Sequence, residues 1–365
     1  MNKEKINICL SSDDNFAPYL LTTIISILKN ANEEDEIYFY IIDNGISQIN
    51  KEKLLKLKAI KEFNISFASL NIEDIKKYTN WINMNKNSPY SVSTYSILSI
   101  PNLFPDIDKI LYLDCDLIVT KSLKELFDYD IDNYLAIVAD HTVWNYYRKN
   151  PNKFPDIHNY FTSIGLDKDT HYFNSGVLLI NNKLWREINI EKLFEDFQLK
   201  YHDNIIYADQ CILNYVLKDK VKYVKNEWNL VPHLNKDYYP ILPNIKDVCI
   251  IHYAGYKPWN SNCIDKFFVE EFWKYFCLTP YFQEDIGKYL NIMINQKIKA
   301  LDNFSNINDL EYKIDKLIDT LAWWIPIRKW RDNFRNKFFD KFIGGGVNNG
   351  FKFLYPLNFR LGLNY

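Results

Sequence analysis

The first seventy residues alternate two periodicities, and that alternation leaves few folds open. Lys5 to Ser11 (KINICLS) is a short apolar run with the composition of a buried strand. The polar stretch SSDDN follows, and Pro18 to Lys29 then carries apolar residues at helical spacing. Glu36 to Ile42 (EIYFYII) predicts a second strand, Ile49 to Phe63 a second helix and Asn64 to Leu70 a third strand. Strand, helix, strand, helix, strand is the pattern of an open, largely parallel α/β sheet covered by helices. Such sheets bind ligands beyond the carboxyl ends of their strands, which is where SSDDN sits.

The pattern continues. Lys109 to Leu113 (KILYL) predicts a strand that runs into Asp114-Cys115-Asp116. Tyr134 to Ala139, Gly176 to Asn181 (GVLLIN) and Val248 to Tyr253 predict further strands, and Lys183 to Tyr201 and Ala208 to Leu217 predict helices. Between them, Asp140 to Tyr172 is rich in Tyr, Asn and Asp and reads as a long loop. A loop of that length inside a compact domain is usually functional.

Composition narrows the function classes. Only 10 of 365 residues are Gly, which argues against glycine-rich phosphate loops, collagen and solenoid repeats. The formal net charge of −2 argues against a nucleic-acid binder. The six cysteines form no C-x-x-C pair, so neither a zinc ribbon nor a thioredoxin-type motif is present. The start of the chain lacks the apolar stretch of a signal peptide, and no apolar run approaches the ~18 residues of a membrane span. A cytoplasmic, reduced protein is the expectation.

Three segments carry candidate chemistry. In LYLDCDLIV, Asp114 and Asp116 lie two apart just past a buried strand, so both can reach one divalent cation. Hard oxygen ligands suit Mn²⁺ or Mg²⁺, with a substrate diphosphate completing the shell. A phosphohydrolase of the haloacid-dehalogenase type also uses a strand followed by D-x-D, with the first Asp as nucleophile. Here Ile118 stands where such enzymes carry Thr or Val, and the motif lies a third of the way along the chain. In IIHYAGYKPW, His252 can be a third metal ligand, Gly255 allows close backbone approach, and Lys257 is a point charge suited to phosphate. In HYFNSGVLLIN and YADQCILNYVL, Asn174 and Ser175 precede a strand and Asp209 and Gln210 open a helix. Alone, Asp209 reads as a helix N-terminal residue favoured by the dipole.

Taken in order, NICLSSDDNFAPYL, LYLDCDLIV, FNSGVLLIN, ADQCILN and HYAGYKPW resemble the family 8 glycosyltransferases over about residues 5–280. The likeness is greatest to the bacterial lipopolysaccharide and lipooligosaccharide galactosyl- and glucosyltransferase branch. The resemblance implies a GT-A-type nucleotide-diphospho-sugar transferase fold, with a mixed, mostly parallel central sheet flanked by helices. It implies a retaining hexosyltransferase that moves galactose or glucose from a UDP-sugar to a saccharide on a lipid or another cell-surface glycan. Ser11, Asp13, Asn15, Phe16 and Cys115 would then contact the donor, with Phe16 stacking on uracil. Asp114, Asp116 and His252 would bind Mn²⁺ (or Mg²⁺), and Gly255 and Lys257 would contact the diphosphate. Asn174, Ser175, Asp209 and Gln210 would line the donor sugar, with Asp209 and Gln210 at the reacting carbon. Asp140 would begin the acceptor side. Two departures stand out. Ile97 occupies a place where the family often carries Arg, and HYAGYKPW has one residue fewer between Gly and Lys than the commonest form. A degenerate nucleotide-binding homologue without transfer is therefore the second alternative, beside the phosphohydrolase.

The chain then changes character. The expected division is a catalytic domain over 1–280 and a helical extension over 281–365. Residues 321–365 hold eight Lys or Arg against two Asp and no Glu, with twelve aromatics. Arg328, Lys329, Arg331, Arg335 and Lys337 alternate with bulky groups beside Trp323, Trp324 and Trp330. This pattern predicts peripheral attachment to an anionic membrane, on the inner face of the cell membrane.

Overall fold

One strand of the main sheet runs against the other six, and its reversal sets where the site forms. The computed structural model describes residues 5–84, 91–167, 170–232, 246–255, 257–260 and 266–300. The strands are β1 (Lys5–Ser12), β2 (Glu36–Asp43), β3 (Asn64–Ala68), β4 (Lys109–Leu113), β5 (Leu117–Val119), β6 (Ala136–Ala139), β7 (Val177–Asn181), β8 (Val221–Val224) and β9 (Ile250–His252). Seven of them form one sheet in the order β3-β2-β1-β4-β7-β6-β8, while β5 and β9 form a separate two-stranded sheet. β1 pairs in parallel with β2 and β4, β2 with β3, and β6 with β8. β7 is antiparallel to both its neighbours, β4 and β6. This is the mixed, mostly parallel α/β architecture expected from the alternating pattern.

The central strands are continuous apolar runs because helices cover both faces of the sheet. Val177, Leu178, Leu179 and Ile180 of β7 are all buried, as are Ile110, Leu111 and Leu113 of β4. Each such side chain contributes roughly 1.5–3 kcal/mol of burial.

The helix Ala17–Asn30 is buried nearly all round, hydroxyl residues included. Its Thr23 Oγ1 lies 2.9 Å from the Cys115 carbonyl and 2.8 Å from that of Leu117, and Ser26 Oγ accepts from the Val119 N–H at 2.9 Å. Buried hydroxyls here satisfy backbone groups that leave the main sheet at residue 114, which would otherwise go unpaired.

Four expectations need correction. The segment Asp140 to Tyr172 is not one loop: it holds the helices Thr142–Lys149 and Pro155–Ser163, whose aromatics face the core through Phe161 and Trp144. The single helix over Lys183 to Tyr201 is two, Asn182–Glu187 and Ile190–Tyr201, because Asn189 takes a left-handed φ of 48° between them. Asn tolerates that conformation better than most residues. The helix over Ile49 to Phe63 is α-helical only across Gln48–Leu55 and then tightens into a 3₁₀ turn. The strand over Val248 to Tyr253 is short and lies outside the main sheet. The helix Ile72–Met84 was not anticipated at all.

Beyond the last strand, the helices Lys266–Phe276, Pro280–Glu284 and Ile286–Ala300 follow within the same unit. The basic and aromatic segment 321–365, with Trp323, Trp324, Trp330, Arg328, Lys329, Arg331, Arg335 and Lys337, lies outside the described residues. Among the described residues, no helix is long and apolar enough to cross a membrane.

Candidate active site

Because β7 alone is reversed, its N-terminal end lies at the carboxyl ends of the parallel strands. The residues just before β7 therefore meet those just after β4. The Asp114 N–H donates to the Gly176 carbonyl at 2.9 Å, extending the β4–β7 ladder by one step. Three residues later the chain enters β5, which pairs antiparallel with β9 and sets Leu117 opposite His252. The Tyr253 N–H donates to the Asp116 carbonyl at 2.9 Å. Residues some 140 positions apart thus share one corner.

In that corner, Asp114, Asp116 and His252 offer ligand atoms that all lie within 4.8 Å of one another. His252 Nε2 is 3.4 Å from Asp114 Oδ2 and 3.2 Å from Asp116 Oδ1. Lys257 Nζ forms an ion pair with Asp116 Oδ2 and donates to the Tyr253 carbonyl at 2.8 Å. Burial alone would lower the His252 pKa, but the charges of Asp116 and Asp114 outweigh it and raise it to about 9. Burial likewise opposes ionisation of Asp116, yet Lys257 and His252 hold it well below the usual carboxylate range. Two carboxylates and an imidazole at this spacing can hold a divalent cation. Ligation requires His252 neutral, while Asp116 can offer Oδ1, the oxygen that faces His252, with Oδ2 still on the lysine.

Gly176 makes the corner possible. A Cβ built there would lie 2.1 Å from His252 Cε1 and 2.6 Å from Asp114 Oδ2. No other residue type leaves both side chains in place. The His252 ring is oriented from behind, since Nδ1 lies 3.0 Å from Asn229 Oδ1 and Nε2 therefore faces the carboxylates.

From Asn229 a chain of amides leads to the second half of the site. Asn229 Nδ2 donates to Asn174 Oδ1 (3.0 Å), Asn174 Nδ2 donates to Gln210 Oε1 (2.8 Å), and Gln210 Nε2 donates to the Tyr172 hydroxyl (2.9 Å). The Ser175 N–H also approaches Gln210 Oε1 at 3.4 Å. Asp209 is buried beside Gln210, and burial followed by the Asp114 charge pushes its pKa up to about 8, against the Ser175 hydrogen bond. Ala208, just before it, has a left-handed φ of 38°. Such strain in a non-glycine residue persists only where neighbours over-determine it, and it clusters at functional sites.

The loop after β1 reaches the same end of the sheet. Cys115 Sγ donates to the Ser11 carbonyl at 3.1 Å, joining the end of β1, from which that loop leaves, to Asp114 and Asp116. Ser11 Oγ accepts from Asn44 Nδ2 (2.9 Å) and Ser96 Oγ (2.5 Å), so its hydroxyl serves the fold. Asp13 accepts from the Phe16 N–H at 2.9 Å, and Asn15 is exposed. Phe16 is 37% exposed and edge-on to Tyr19 and Trp259, which leaves a ring face for a ligand. Gly255 is exposed, with open space around its Cα. Asp140 reaches the amide chain in steps. Asn145 Nδ2 donates to Asp140 Oδ1 at 2.5 Å and to the Tyr172 carbonyl at 3.0 Å. Ile97 is fully buried in the apolar core, so it supplies no charge to Asp209 or Asp114.

Sequence reasoning missed Gly176, Asn229, Tyr172, and Tyr112, whose hydroxyl donates to Asp114 Oδ1 at 3.0 Å. Only Gly176 left a signal, as a rare glycine abutting an apolar strand.

Comparison with known proteins agrees with this geometry. The sequence profile described as Glycosyl transferase family 8 matches residues 7–263. A Haemophilus influenzae protein is 33% identical over 266 residues, covering 71% of this chain and 74% of its own length. The lipopolysaccharide 1,2-glucosyltransferase of Escherichia coli is 28% identical over 273 residues, covering 71% and 74%. The crystal structure of the galactosyltransferase LgtC, with donor and acceptor sugar analogues, superposes with a TM-score of 0.63 at 30% identity, covering 78% of this chain and 100% of that one.

Proposed function

The chain belongs to glycosyltransferase family 8, and from that premise we propose that it is a retaining hexosyltransferase using a UDP-sugar. The sugar is galactose or glucose, and the acceptor is a saccharide of lipopolysaccharide, lipooligosaccharide or another cell-surface glycan. The observation that carries the reading is the Asp114–Asp116–His252 corner, tied by amides to Gln210. The named activities of the Escherichia coli and LgtC relatives support the sugar and acceptor classes.

Asp114, Asp116 and His252 would hold Mn²⁺ (or Mg²⁺), which when bound supplies Lewis-acid stabilisation of the leaving diphosphate. Lys257 adds a fixed positive charge at the same place. Phe16 stacks on uracil, with Asp13 and Asn15 on the nucleoside, while Asn174 and Ser175 line the sugar. Asp209, poorly ionised in its buried place, orients sugar hydroxyls. Gln210 lies beneath the anomeric carbon. Its carbonyl oxygen already accepts from Asn174 and Ser175, and an amide is a weak nucleophile. Front-face attack by the acceptor, with a UDP oxygen taking its proton, follows from that occupancy and accounts for retention.

The test is donor hydrolysis without acceptor, with Mn²⁺ and a panel of UDP- and GDP-sugars. Nucleotide release from one UDP-sugar, lost on adding EDTA, is expected. Silence across the panel with UDP still bound would leave a binding homologue; phosphate release without a nucleotide donor would favour a phosphohydrolase. Gln210→Ala is expected to lower transfer about 10²-fold while UDP affinity stays within about twofold. An unchanged rate removes Gln210 from the mechanism.

We place the protein on the inner face of the cell membrane through residues 321–365. With five basic residues at about 1 kcal/mol each near an anionic surface, deletion of 321–365 is expected to weaken vesicle binding at least about tenfold. Equal binding by the shortened chain would leave the segment no membrane role.

A further inference from the structure

The loop that carries Lys257 is fastened by a residue outside the family-matched region. Lys257, Pro258, Trp259 and Asn260 form a turn closed by the Asn260 N–H donating to the Lys257 carbonyl at 3.0 Å. Gln296, in the helix Ile286–Ala300, is 3% exposed and reaches this turn from behind. Its Nε2 donates to the Pro258 carbonyl at 2.6 Å and to the Asn260 carbonyl at 2.7 Å. Its Oε1 accepts from Trp273 Nε1 at 3.0 Å. Both amide protons go to the two residues that flank Trp259, and the oxygen is locked by a buried indole. Trp259 meanwhile stacks on Tyr19 at 3.6 Å and 12°, which grips the turn from the N-terminal helix. Lys257, at the head of this turn, keeps its ammonium on Asp116 and the Tyr253 carbonyl.

We propose that Gln296 is a positioning residue for Lys257, so that the helix Ile286–Ala300 forms part of diphosphate recognition. The matched family region ends at residue 263, so Gln296 lies beyond it. A buried side chain that spends both amide protons on one short turn, with its oxygen held by an indole, fixes that turn's place, and a flexible lysine loses less freedom when its backbone is already held. The inference rests on the reading of Lys257 as a diphosphate contact.

The test is UDP and uridine binding by calorimetry at saturating Mn²⁺ on the full chain. Lys257→Ala is expected to weaken UDP about tenfold, and Gln296→Met, which keeps the volume and loses the hydrogen bonds, about fivefold. Uridine, which has no phosphate, should bind both variants as it binds the unaltered protein. In the Lys257→Ala background, Gln296→Met should add less than about twofold, because the two act through one contact. Should Gln296→Met not fold, Trp273→Phe keeps an aromatic ring, though a smaller one, and removes the indole N–H, with about a threefold loss expected and the same non-additivity. Wild-type UDP affinity in Gln296→Met or Trp273→Phe, or full additivity with Lys257→Ala, overturns the inference while leaving the role of Lys257 intact. Unchanged UDP affinity in Lys257→Ala itself overturns both.

Discussion

Asp116→Ala is expected to cut metal-dependent donor turnover by about 10³-fold or more. Asp116 is buried, reached by His252 Nε2 at 3.2 Å and paired with Lys257. Its removal leaves two ligands of three and lets Lys257 drift from the corner. Mn²⁺ binding, followed by calorimetry, should be lost in parallel. Asp116→Asn separates ligation from folding: it keeps the shape and a hydrogen-bond acceptor, so the chain should fold while the metal still fails to bind. Undiminished turnover in either folded variant would sink the metal assignment.

Gly176→Ala should do nearly as much damage without replacing a ligand. The new methyl would sit 2.1 Å from His252 Cε1, so the imidazole must move by more than an ångström. A misplacement of that size in a reacting constellation can cost about 10²-fold, and we expect that loss in both Mn²⁺ affinity and turnover. The comparison is Gly287→Ala, in the first turn of the helix Ile286–Ala300, where a methyl meets open space and Ala is the better helix former. That variant should keep full activity and be at least as stable. If Gly176→Ala binds Mn²⁺ normally, the site must reorganise around the methyl, and the cradle role of Gly176 is wrong.

Much of the site was legible because its chemistry sits at strand ends. Asp114 and Asp116 follow an unmistakable buried strand, and Asp209 and Gln210 open a helix of marked apolar periodicity. The segment Asp140 to Tyr172 was misread for an equally physical reason. Its Tyr, Trp and Asn residues have little helix propensity alone. They become helical only when Trp144 and Phe161 find one another, with ring centroids 5.7 Å apart, and Tyr172 lies 4.8 Å from Phe161. The break at Asn189 was hidden because an αL residue leaves the apolar spacing on either side undisturbed.

The sequence by itself determined the α/β class, the helix-covered sheet, the carboxylate pair and the order of the motifs along the chain. Those are local matters, set by periodicity and by what a polar residue does at a strand end. Only the tertiary structure decided that β7 runs backwards, which brings Asn174 and Gly176 to Asp114. It alone paired β5 with β9, delivering His252 to Asp116. It alone linked His252 through Asn229 and Asn174 to Gln210, and set Gln296 behind the Lys257 turn. Strand direction and long-range pairing are chosen by the summed burial of many side chains, so no single segment encodes them.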